Sequence, residues 1–366
     1  MPWGLSGHRG AVLCLDSPGG GTLASGSDDG TVRIWDLAAG RAVRALLPPT
    51  ARPVNAVSLG RPATAASSLA FAAVGAELVG FDLRAPGVLL RHATPLLPAS
   101  RDDLAHLALS ASGRVLAAAD DAGDVMLYDV AAAAALPPLR GAHHSVCSSL
   151  AFSPCADDLL CSGGMDLRCV QWECRRAAPR EEWSLLAQEE AAAAPPLLNP
   201  RYVHCVSYAP DGAAIALALG DGSVELRRAV GGDLIGAAAA HRAAASQAHF
   251  APELGGGGGG GVPLITAGDD ACLGLWSAEG LAGAAGRGKR RRTGGGEWAG
   301  GARGGDGEEG EGGTPLLRHI VTVSTPEKPN WIAAASAAGG SASGVVCVAS
   351  NAEVILVYTV GESSLT

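Results

Sequence analysis

The amino-acid sequence predicts an all-β protein built from seven similar units, on the basis of three observations. Short segments that join an Asp-containing turn to a run of alternating residues recur along the chain, as a tight hairpin leading into a half-buried strand requires. Their spacing is typical of propeller blades of about 40–45 residues. Three units also share a His, a hydroxyl residue, an Asp and a Trp in one order. The predicted architecture is therefore a seven-bladed β-propeller.

The segments that close each unit set the boundaries of the predicted blades. The clearest are GSDDGTVRIWD (26–36), DDAGDVMLYD (120–129), GGMDLRCVQW (163–172), GDGSVELR (220–227) and GDDACLGLW (268–276). We expect one domain over residues 1–366, with blades at 7–47, 53–92, 101–140, 143–188, 199–237, 241–321 and 327–360. Phe81 replaces the Trp in blade 2, Arg227 does so in blade 5, and blade 7 ends in VILVYTV (354–360). Such irregular blades can be held by their neighbours.

Three blades carry a fuller set of polar residues. The sets are His8, Ser25, Asp29 and Trp35; His143 or His144 with Ser162, Asp166 and Trp172; and His241, Thr266, Asp270 and Trp276. In each, the hydroxyl residue lies ten positions before the Trp and the Asp lies six before it. A His can link the hydroxyl to the carboxylate while the indole N–H bonds the hydroxyl, so no polar group stays unpaired. The alternative is a Ser-His-Asp catalytic triad, but a network repeated in three blades cannot form three active sites.

These sets resemble the WD-repeat family, in which Asp, His, Ser/Thr and Trp form a hydrogen-bonded tetrad that ties the strands and turns of a blade. The resemblance covers nearly the whole chain. It narrows to one subfamily on CSSLAFSP (147–154), PPLLNP (195–200), a basic-then-acidic insertion in blade 6 and EKPNW (327–331). It implies peptide or protein binding at the narrow face and around the central channel, near the turns that carry Asp29, Asp166 and Asp270.

Ring closure and two insertions complete the predicted architecture. PWGL (2–5) is long enough for one outer strand, which we expect to pair with the last blade and remove its open edge. The glycine run 255–261 and the Gly-rich, charged segment 277–314 interrupt blade 6. Both contain few apolar residues, so we expect disorder there.

Composition argues against several classes of function. The formal net charge of −9 argues against a nucleic-acid binder, whose affinity depends on phosphate contacts with a basic surface. Nine cysteines include no Cys-x-x-Cys pair, which favours reduced, buried thiols over a zinc site between Cys147 and Cys174. No phosphate-binding loop or nucleophile motif occurs, so we expect no cofactor, no metal and no enzyme activity.

The expected location is the cytoplasm or the nucleus. The start MPWGLSGHRG has no signal-peptide pattern, and no apolar stretch reaches about 18 residues. Lys289, Arg290, Arg291 and Arg292 form a basic cluster inside the second insertion, where an import receptor could reach it. The alternative is a charge run that only interacts with solvent.

Two blade ends are similar to a docking motif that some WD-repeat proteins use to bind the adaptor of cullin-4 ubiquitin ligases. That motif is Trp-Asp-x-Arg. One candidate is AFAAVGAELVGFDLR (70–84), which offers Asp82 and Arg84 but has Phe81 for Trp. The other is LCSGGMDLRCVQWECR (160–175), which keeps Trp172 and Arg175 but has Glu173 for Asp and Gln171 where an apolar residue is usual. The alternative is an ordinary blade end with a solvated arginine.

The resemblance thus implies a monomeric, non-enzymatic scaffold for protein interactions, which does not bind membranes. The leading hypothesis is a substrate-recruiting subunit of a cullin-4 ubiquitin ligase. The second is a reader of peptides or histone tails that has no association with the ligase. A third is an enzyme that uses the channel as its pocket. Because propellers have many functions, the fold alone does not decide between them.

Overall fold

Seven β-sheets form a closed ring in the computed structural model, which describes residues 2–97, 100–141, 143–185, 199–255, 261–279, 281, 317–336 and 344–360. The first strand of each blade contacts the first strands of the two neighbouring blades, and the first strand of blade 7 contacts that of blade 1. The predicted all-β propeller with seven blades is therefore confirmed. None of the helices in the described ranges has the length and apolar character needed to cross a membrane.

All seven blades run as antiparallel meanders from the first strand to the third. Blades 1 to 3 comprise β2 (Val12–Gly19), β3 (Thr22–Ser27), β4 (Val32–Asp36) and β5 (Arg41–Leu46); β6 (Val54–Leu59), β7 (Leu69–Val74), β8 (Glu77–Asp82) and β10 (Thr94–Pro95); and β11 (Leu104–Leu109), β12 (Val115–Asp120), β13 (Val125–Asp129) and β14 (Ala134–Leu139). Blades 4 to 6 comprise β15 (Cys147–Ser153), β16 (Ala156–Gly164), β17 (Arg168–Glu173) and β18 (Ala178–Ser184); β19 (Val203–Tyr208), β20 (Ala214–Leu219), β21 (Ser223–Arg228) and β22 (Leu234–Ala239); and β23 (Ala245–Phe250), β24 (Val262–Gly268), β25 (Cys272–Ala278) and β26 (Leu317–Ser324).

Blade 7 contains both ends of the described chain. It comprises β27 (Pro329–Ser336), β28 (Gly344–Ser350), β29 (Val354–Val360) and β1 (Trp3–Ser6). Trp3 pairs with Val357 and Ser6 pairs with Val354, so the strand predicted at 2–5 is present one residue later. Leu5 is fully buried in this strand and joins the apolar core between blades 7 and 1.

The space between neighbouring blades is filled by an aromatic side chain from the third strand of most blades. Each packs against the preceding blade: Trp35, Phe81, Tyr128, Trp172 and Trp276. All five are buried. Complete burial of a side chain such as Phe stabilises the fold by about 1.5–3 kcal/mol, and an indole buries still more apolar area. The apolar positions that alternate along the strands therefore form the contacts between blades.

Several predicted blade boundaries were wrong by a few residues. Blade 2 does not end at 92, because its fourth strand is only Thr94–Pro95. The preceding residues instead form β9 (Leu89–Leu90), which pairs in parallel with β5 and gives blade 1 a fifth strand. β22 and β26 also extend past the predicted ends at 237 and 321, to Ala239 and Ser324.

The predicted insertions fall mainly where the structure describes nothing. The insertion predicted at 277–314 begins too early, since Ser277 and Ala278 still belong to β25. Residues 280 and 282–316 lie outside the described residues, and so do residues 256–260 of the glycine run. A short 3-10 helix, Pro252–Leu254, leads into that run. A second 3-10 helix, Cys174–Arg176, follows β17.

The successive turns of each meander lie alternately on two opposite faces of the ring. The lower face carries the turns between the first and second strands and those after the third strands. The upper face carries the turns between the second and third strands, among them the turns of Asp29, Asp166 and Asp270. Every first strand also has a register shift after its first residue, as between Val12 and Cys14 of β2. This repeated bulge bends the strand where it leaves the upper face.

Candidate functional site

The polar set of blade 1 forms one continuous hydrogen-bond chain. The Trp35 Nε1–H donates to Ser25 Oγ at 2.8 Å. Ser25 Oγ lies 2.7 Å from His8 Nε2, and His8 Nδ1 lies 3.0 Å from Asp29 Oδ2. If His8 Nδ1–H donates to the carboxylate, then Nε2 accepts the Ser25 hydroxyl proton, and all three groups are satisfied. The chain connects the turn between β3 and β4 to the residues before β2.

Blades 4 and 6 repeat this geometry. In blade 4, Trp172 Nε1 lies 3.0 Å from Ser162 Oγ, His143 Nε2 lies 2.9 Å from that oxygen, and His143 Nδ1 lies 2.8 Å from Asp166. His143 rather than His144 thus supplies the ring, while the His144 backbone N–H donates to Asp166 at 3.0 Å. In blade 6 the corresponding distances among Trp276, Thr266, His241 and Asp270 are 3.1, 2.9 and 3.0 Å.

The carboxylate of each set organises the turn that contains it. Asp29 accepts from the Thr31 backbone N–H and hydroxyl and from the Arg9 backbone N–H, at 2.6–2.9 Å. Burial alone would raise the pKa of Asp29, but these hydrogen bonds and His8 outweigh it and lower the pKa to about 2. Burial lowers the pKa of His8 despite the nearby carboxylate. A neutral His beside an ionised Asp is therefore the stable state at neutral pH.

The hydroxyl groups of these sets are enclosed. Ser25, Ser162 and Thr266 have no exposed surface. Each oxygen contacts both an imidazole and an indole within its own blade. A nucleophile needs access to its substrate. The arrangement therefore fits a structural network that fixes strands and turns.

Blade 5 holds an ionic network at the corresponding place, which the sequence interpretation missed. Arg227, at the Trp position, bonds Glu225 at 2.7 Å and donates to Gly232 O at 3.1 Å. Arg201 bonds Glu225 as well and lies 2.9 Å from Asp221. Glu225 and Arg227 are both buried. A signal was present, because Asp221 precedes Arg227 by six positions, the same spacing as Asp to Trp in the other sets.

The candidate docking arginine of blade 2 is exposed at the lower face. Arg84 follows β8, and its side chain is 75% exposed. Its Nε and Nη2 donate to the two oxygens of Asp82 at 3.0 and 2.7 Å. These hydrogen bonds lower the pKa of Asp82 to about 2. The guanidinium is thus held in one orientation by a carboxylate two residues before it.

The candidate docking arginine of blade 4, Arg175, lies on the same face, but the residues around it are arranged differently. Arg175 is exposed within the 3-10 helix after β17, whereas Trp172 is buried and cannot itself touch a partner. Glu173, which replaces the Asp, pairs with Arg176 at 2.9 Å. Gln171 does not disturb the blade end: it is buried and donates to Tyr208 Oη and Ala229 O of blade 5, at 2.8 and 2.9 Å.

The cysteines are mostly small buried residues of the strands. Cys161 and Cys169 approach to 3.2 Å between their sulfur atoms, and both are fully buried. Burial raises the pKa of the Cys147 and Cys161 thiols. Across the ranges given above, no group of three or more His, Cys, Asp or Glu residues is arranged to hold a metal ion. The basic cluster at 289–292 lies outside the described residues.

A cavity of about 420 Å³ occupies the central channel. All seven first strands contribute to its wall, and so do the lower-face residues Pro18, Pro154, Pro210 and Pro252. It therefore opens at the lower face, opposite to the turns where the resemblance implies binding. Asp16, His106, His249 and Trp331 also line it.

Comparisons with known proteins agree with this geometry. The family model "WD domain, G-beta repeat" matches residues 3–36. A relative from Dictyostelium discoideum, "WD repeat-containing protein 53 homolog", is 28% identical over 235 residues, which cover 60% of this chain and 62% of that protein. This is the subfamily that the LLNP and EKPNW features indicated. A short match to human "Ribosome biogenesis protein BOP1" is 56% identical but covers only 39 residues, 10% of this chain and 5% of that one.

A solved structure extends the likeness to the whole fold. The WD40 β-propeller domain of Doa1 superimposes with a TM-score of 0.68 and covers 99% of this chain and 97% of its own, at 13% identity. At that identity the match supports the architecture alone. The repeated polar sets, the ring of seven sheets and the family model agree: the chain folds as a seven-bladed β-propeller, its residues 3–36 match the WD-repeat model, and it is similar to WD-repeat proteins.

Proposed function

We propose that this protein is a non-enzymatic scaffold for protein interactions that recruits a substrate to a cullin-4 ubiquitin ligase through the lower face. WD-repeat propellers generally act by binding rather than by catalysis, and the hydroxyl groups of its polar sets are enclosed. The observation that supports the ligase association most is the exposed Arg84, oriented by Asp82 at the end of the third strand of blade 2.

The chain around Arg84 offers exposed apolar surface as well as a positive charge. After Arg84 it crosses to blade 1, where Val88 and Leu89 are 69% and 46% exposed. Arg44 Nη1 donates to Ala85 O at 2.8 Å and fixes this crossing. An arginine beside exposed apolar residues is typical of an interface centre, where Arg is enriched and apolar area is covered. Docking of an acidic adaptor surface there would pair the guanidinium and bury the two apolar side chains.

Pull-down of the cullin-4 adaptor tests this function. Arg84→Glu, alone or with Arg175→Glu, should abolish adaptor capture, because charge reversal adds repulsion to the loss of attraction. Loss of a desolvated pair costs about 2–5 kcal/mol, whereas a rim charge affects mainly the association rate. Arg9→Glu is the matched control, since Arg9 is exposed on the upper face. Capture by the folded double variant at the wild-type level would overturn the role of these arginines.

The alternative of a peptide or histone-tail reader has its own support in the channel cavity. Affinity purification from native cells, followed by mass spectrometry, separates the two functions. Recovery of the adaptor supports the ligase subunit. Recovery of basic tails without the adaptor supports the reader, and the ligase proposal then falls. We also propose that the protein is a monomer and that it is located in the cytoplasm or the nucleus. The cluster at 289–292 would then be its import signal.

A further inference from the structure

One position on the outer strands seals the space between neighbouring blades. It lies opposite a buried residue near the start of the third strand, and four blades place a large, buried apolar side chain there: Leu46, Leu139, Trp183 and Leu5. Each of the four belongs to the apolar core that its blade shares with the next. In blade 6 the same position is Val323, opposite Leu273, and Val323 is 36% exposed. The space between blades 6 and 7 is therefore not sealed.

A second cavity, of about 410 Å³, lies in this space. Blade 6 lines it with Leu275, Val321 and Val323, and blade 7 lines it with Tyr358 and Val360. The tyrosine is only half-buried, although it stands where blades 1, 4 and 6 have their buried tryptophan. Among the described residues that line this interblade cavity, none carries a formal charge. Its volume is common for ligand pockets, and its wall favours an uncharged occupant, because a charge buried there without a partner is costly.

β26 forms the outer edge of blade 6 beside the interblade cavity. Among the described residues it pairs only with β25, so the backbone groups of its other edge have no strand partner. Proteins usually protect such an edge with prolines, charges or very short strands. The outer strand of blade 3 contains Pro137 and Pro138, and that of blade 2 has two residues. β26 is eight residues long, contains no proline and has one formal charge, Arg318.

Blade 1 shows how a strand from elsewhere completes an outer edge in this molecule. β9 pairs in parallel with β5, and Leu90 lies beside Leu46. Leu90 is 6% exposed and belongs to the core between blades 1 and 2, whereas Leu89 faces solvent. A short strand with one apolar side chain is thus enough to complete this wall. Val323 is the counterpart of Leu46, so a strand added to β26 would place a side chain in the interblade cavity.

We propose that β26 and the interblade cavity bind an extended segment of a partner protein, which adds a strand to blade 6 and inserts an uncharged apolar side chain of leucine size or larger. Main-chain hydrogen bonds contribute affinity in such strand addition, and the pocket selects the side chain. The inserted group would join the existing core between blades 6 and 7, as Leu90 joins the core between blades 1 and 2. This site goes beyond the ligase function, because Arg84 lies in blade 2 and does not line the cavity.

The test uses three acetylated, amidated heptapeptides. The first, Ser-Thr-Leu-Thr-Leu-Thr-Ser, places two leucines on one face of an extended strand. The second has alanine for both leucines, and the third keeps the leucines but is N-methylated at its three central residues, which removes their N–H donors. Calorimetry measures binding to the full-length protein, and hydrogen–deuterium exchange locates it. We expect the first peptide to bind at least ten-fold more tightly than the other two and to slow exchange in residues 317–324. Equal binding of all three, or no binding at millimolar concentration, overturns the proposal.

Variants of one residue extend the test to the protein. Val323→Trp introduces the side chain that seals the space between blades 4 and 5 and should block the leucine peptide. Val323→Lys, which places a charge at the cavity, should also abolish binding. Val230→Lys is the matched control, because Val230 is 63% exposed on blade 5, and it should bind as wild type does. A folded Val323→Lys protein that binds the leucine peptide as tightly as wild type overturns the proposal.

Other occupants of the interblade cavity give different results. If the insertion of blade 6 fills it, a protein with residues 282–314 replaced by a Gly/Ser linker binds the leucine peptide and the full-length protein does not. If a second copy fills it, sedimentation shows a dimer that Val323→Lys dissociates. Either result overturns the proposal. Val323→Lys should leave adaptor capture unchanged, so failure of this site and failure of the ligase function are distinguishable.

Discussion

At the scale of single residues, one hydroxyl oxygen connects each polar set. Ser25 receives the Trp35 N–H and bonds His8, which in turn bonds Asp29. The indole also packs against blade 7, so one side chain serves both the hydrogen-bond chain and the contact between blades. Loss of the indole should therefore remove apolar contacts and leave a buried hydroxyl without a donor.

Trp35→Ala should lower the free energy of unfolding by about 3–5 kcal/mol, because it opens a cavity in the core between blades 7 and 1. Trp35→Phe is the matched control. It keeps most of the apolar contact and loses only the N–H donor, which should cost about 1–3 kcal/mol. Urea denaturation followed by circular dichroism measures both. If the Ala variant were as stable as wild type, Trp35 would not hold these blades together.

The buried histidines predict a loss of stability in mild acid. Burial lowers the pKa of His8 and of His241 from the ordinary 6.5. The unfolded chain then binds more protons than the folded one below about pH 6.5, so stability falls as the pH decreases from there through the folded pKa values. The melting temperature should be level above pH 7.5 and fall between pH 6.5 and 5. His8→Gln should reduce the slope, and an unchanged slope would mean that His8 does not contribute.

The lowered pKa values of the carboxylates affect stability in a lower pH range than those of the histidines. The pKa of Asp29 is lowered to about 2, and those of Asp166 and Asp270 are lowered as well. Their contribution is complete above the ordinary Asp value and is lost as the pH falls through the folded values. Histidine and aspartate should therefore produce two separate steps of acid destabilisation.

Fixed spacing made the three polar sets predictable from the sequence, down to the residues that bond. It could not choose between His143 and His144, because adjacent residues fit the spacing equally and only the turn geometry selects one ring. The ionic network of blade 5 was not predicted, because this blade lacks the aromatic and hydroxyl residues of the three polar sets. Arg and Glu are residue types that ordinarily lie at the surface. The burial of Arg227 and Glu225 depends on Arg201, which lies 24 residues before Glu225.

At the scale of elements, β1 determines how the ring closes. Its four residues complete blade 7 along β29 and cover the edge from Val354 to Val357. Deletion of residues 1–6 should lower the melting temperature clearly, since it exposes that edge and removes the buried Leu5. Leu5→Ala is the milder comparison and should cost about 2–5 kcal/mol. A melting curve unchanged by the deletion would show that the ring closes without this strand.

The ionic network of blade 5 should behave unlike a surface ion pair. Glu225→Gln removes the carboxylate that Arg227 and Arg201 share, and it leaves Arg227 buried without it. Breaking a buried pair in this way costs about 3–5 kcal/mol. Glu182→Gln is the control, because Glu182 is 47% exposed in its pair with Arg168 and should cost at most about 1 kcal/mol. Equal stability of the two variants would show that the buried network does not hold the blade.

Blade boundaries were harder to predict than blade number. Turn and strand signals locate the second and third strands well, because those strands alternate and flank tight turns. The fourth strands depend on contacts outside their own segment. In blade 2 the chain after Arg84 pairs first with β5 of blade 1, and only then returns to β8. No local pattern in Leu89–Leu90 specifies a partner in the preceding blade.

At the scale of the whole molecule, the long insertion of blade 6 should be separable from the fold. β25 ends at Ala278 and β26 begins at Leu317, and these residues pair with each other. Replacement of residues 282–314 by a short Gly/Ser linker should leave the melting temperature nearly unchanged, since the cost of closing a loop changes slowly with its length. Nuclear accumulation should fall if 289–292 is an import signal. Equal nuclear levels of both forms would reject the import role.

The two ends of the described chain meet in one blade, with a mechanical consequence. Trp3 lies opposite Val357, so the start of β1 and the end of β29 point out of the sheet at the same end. A force that separates them loads the hydrogen bonds of this pair one after another, as in a zipper, rather than all together. A motor protein that pulls on either end should therefore peel β1 from β29 at low force, and blade 7 should be the first part of the ring to open.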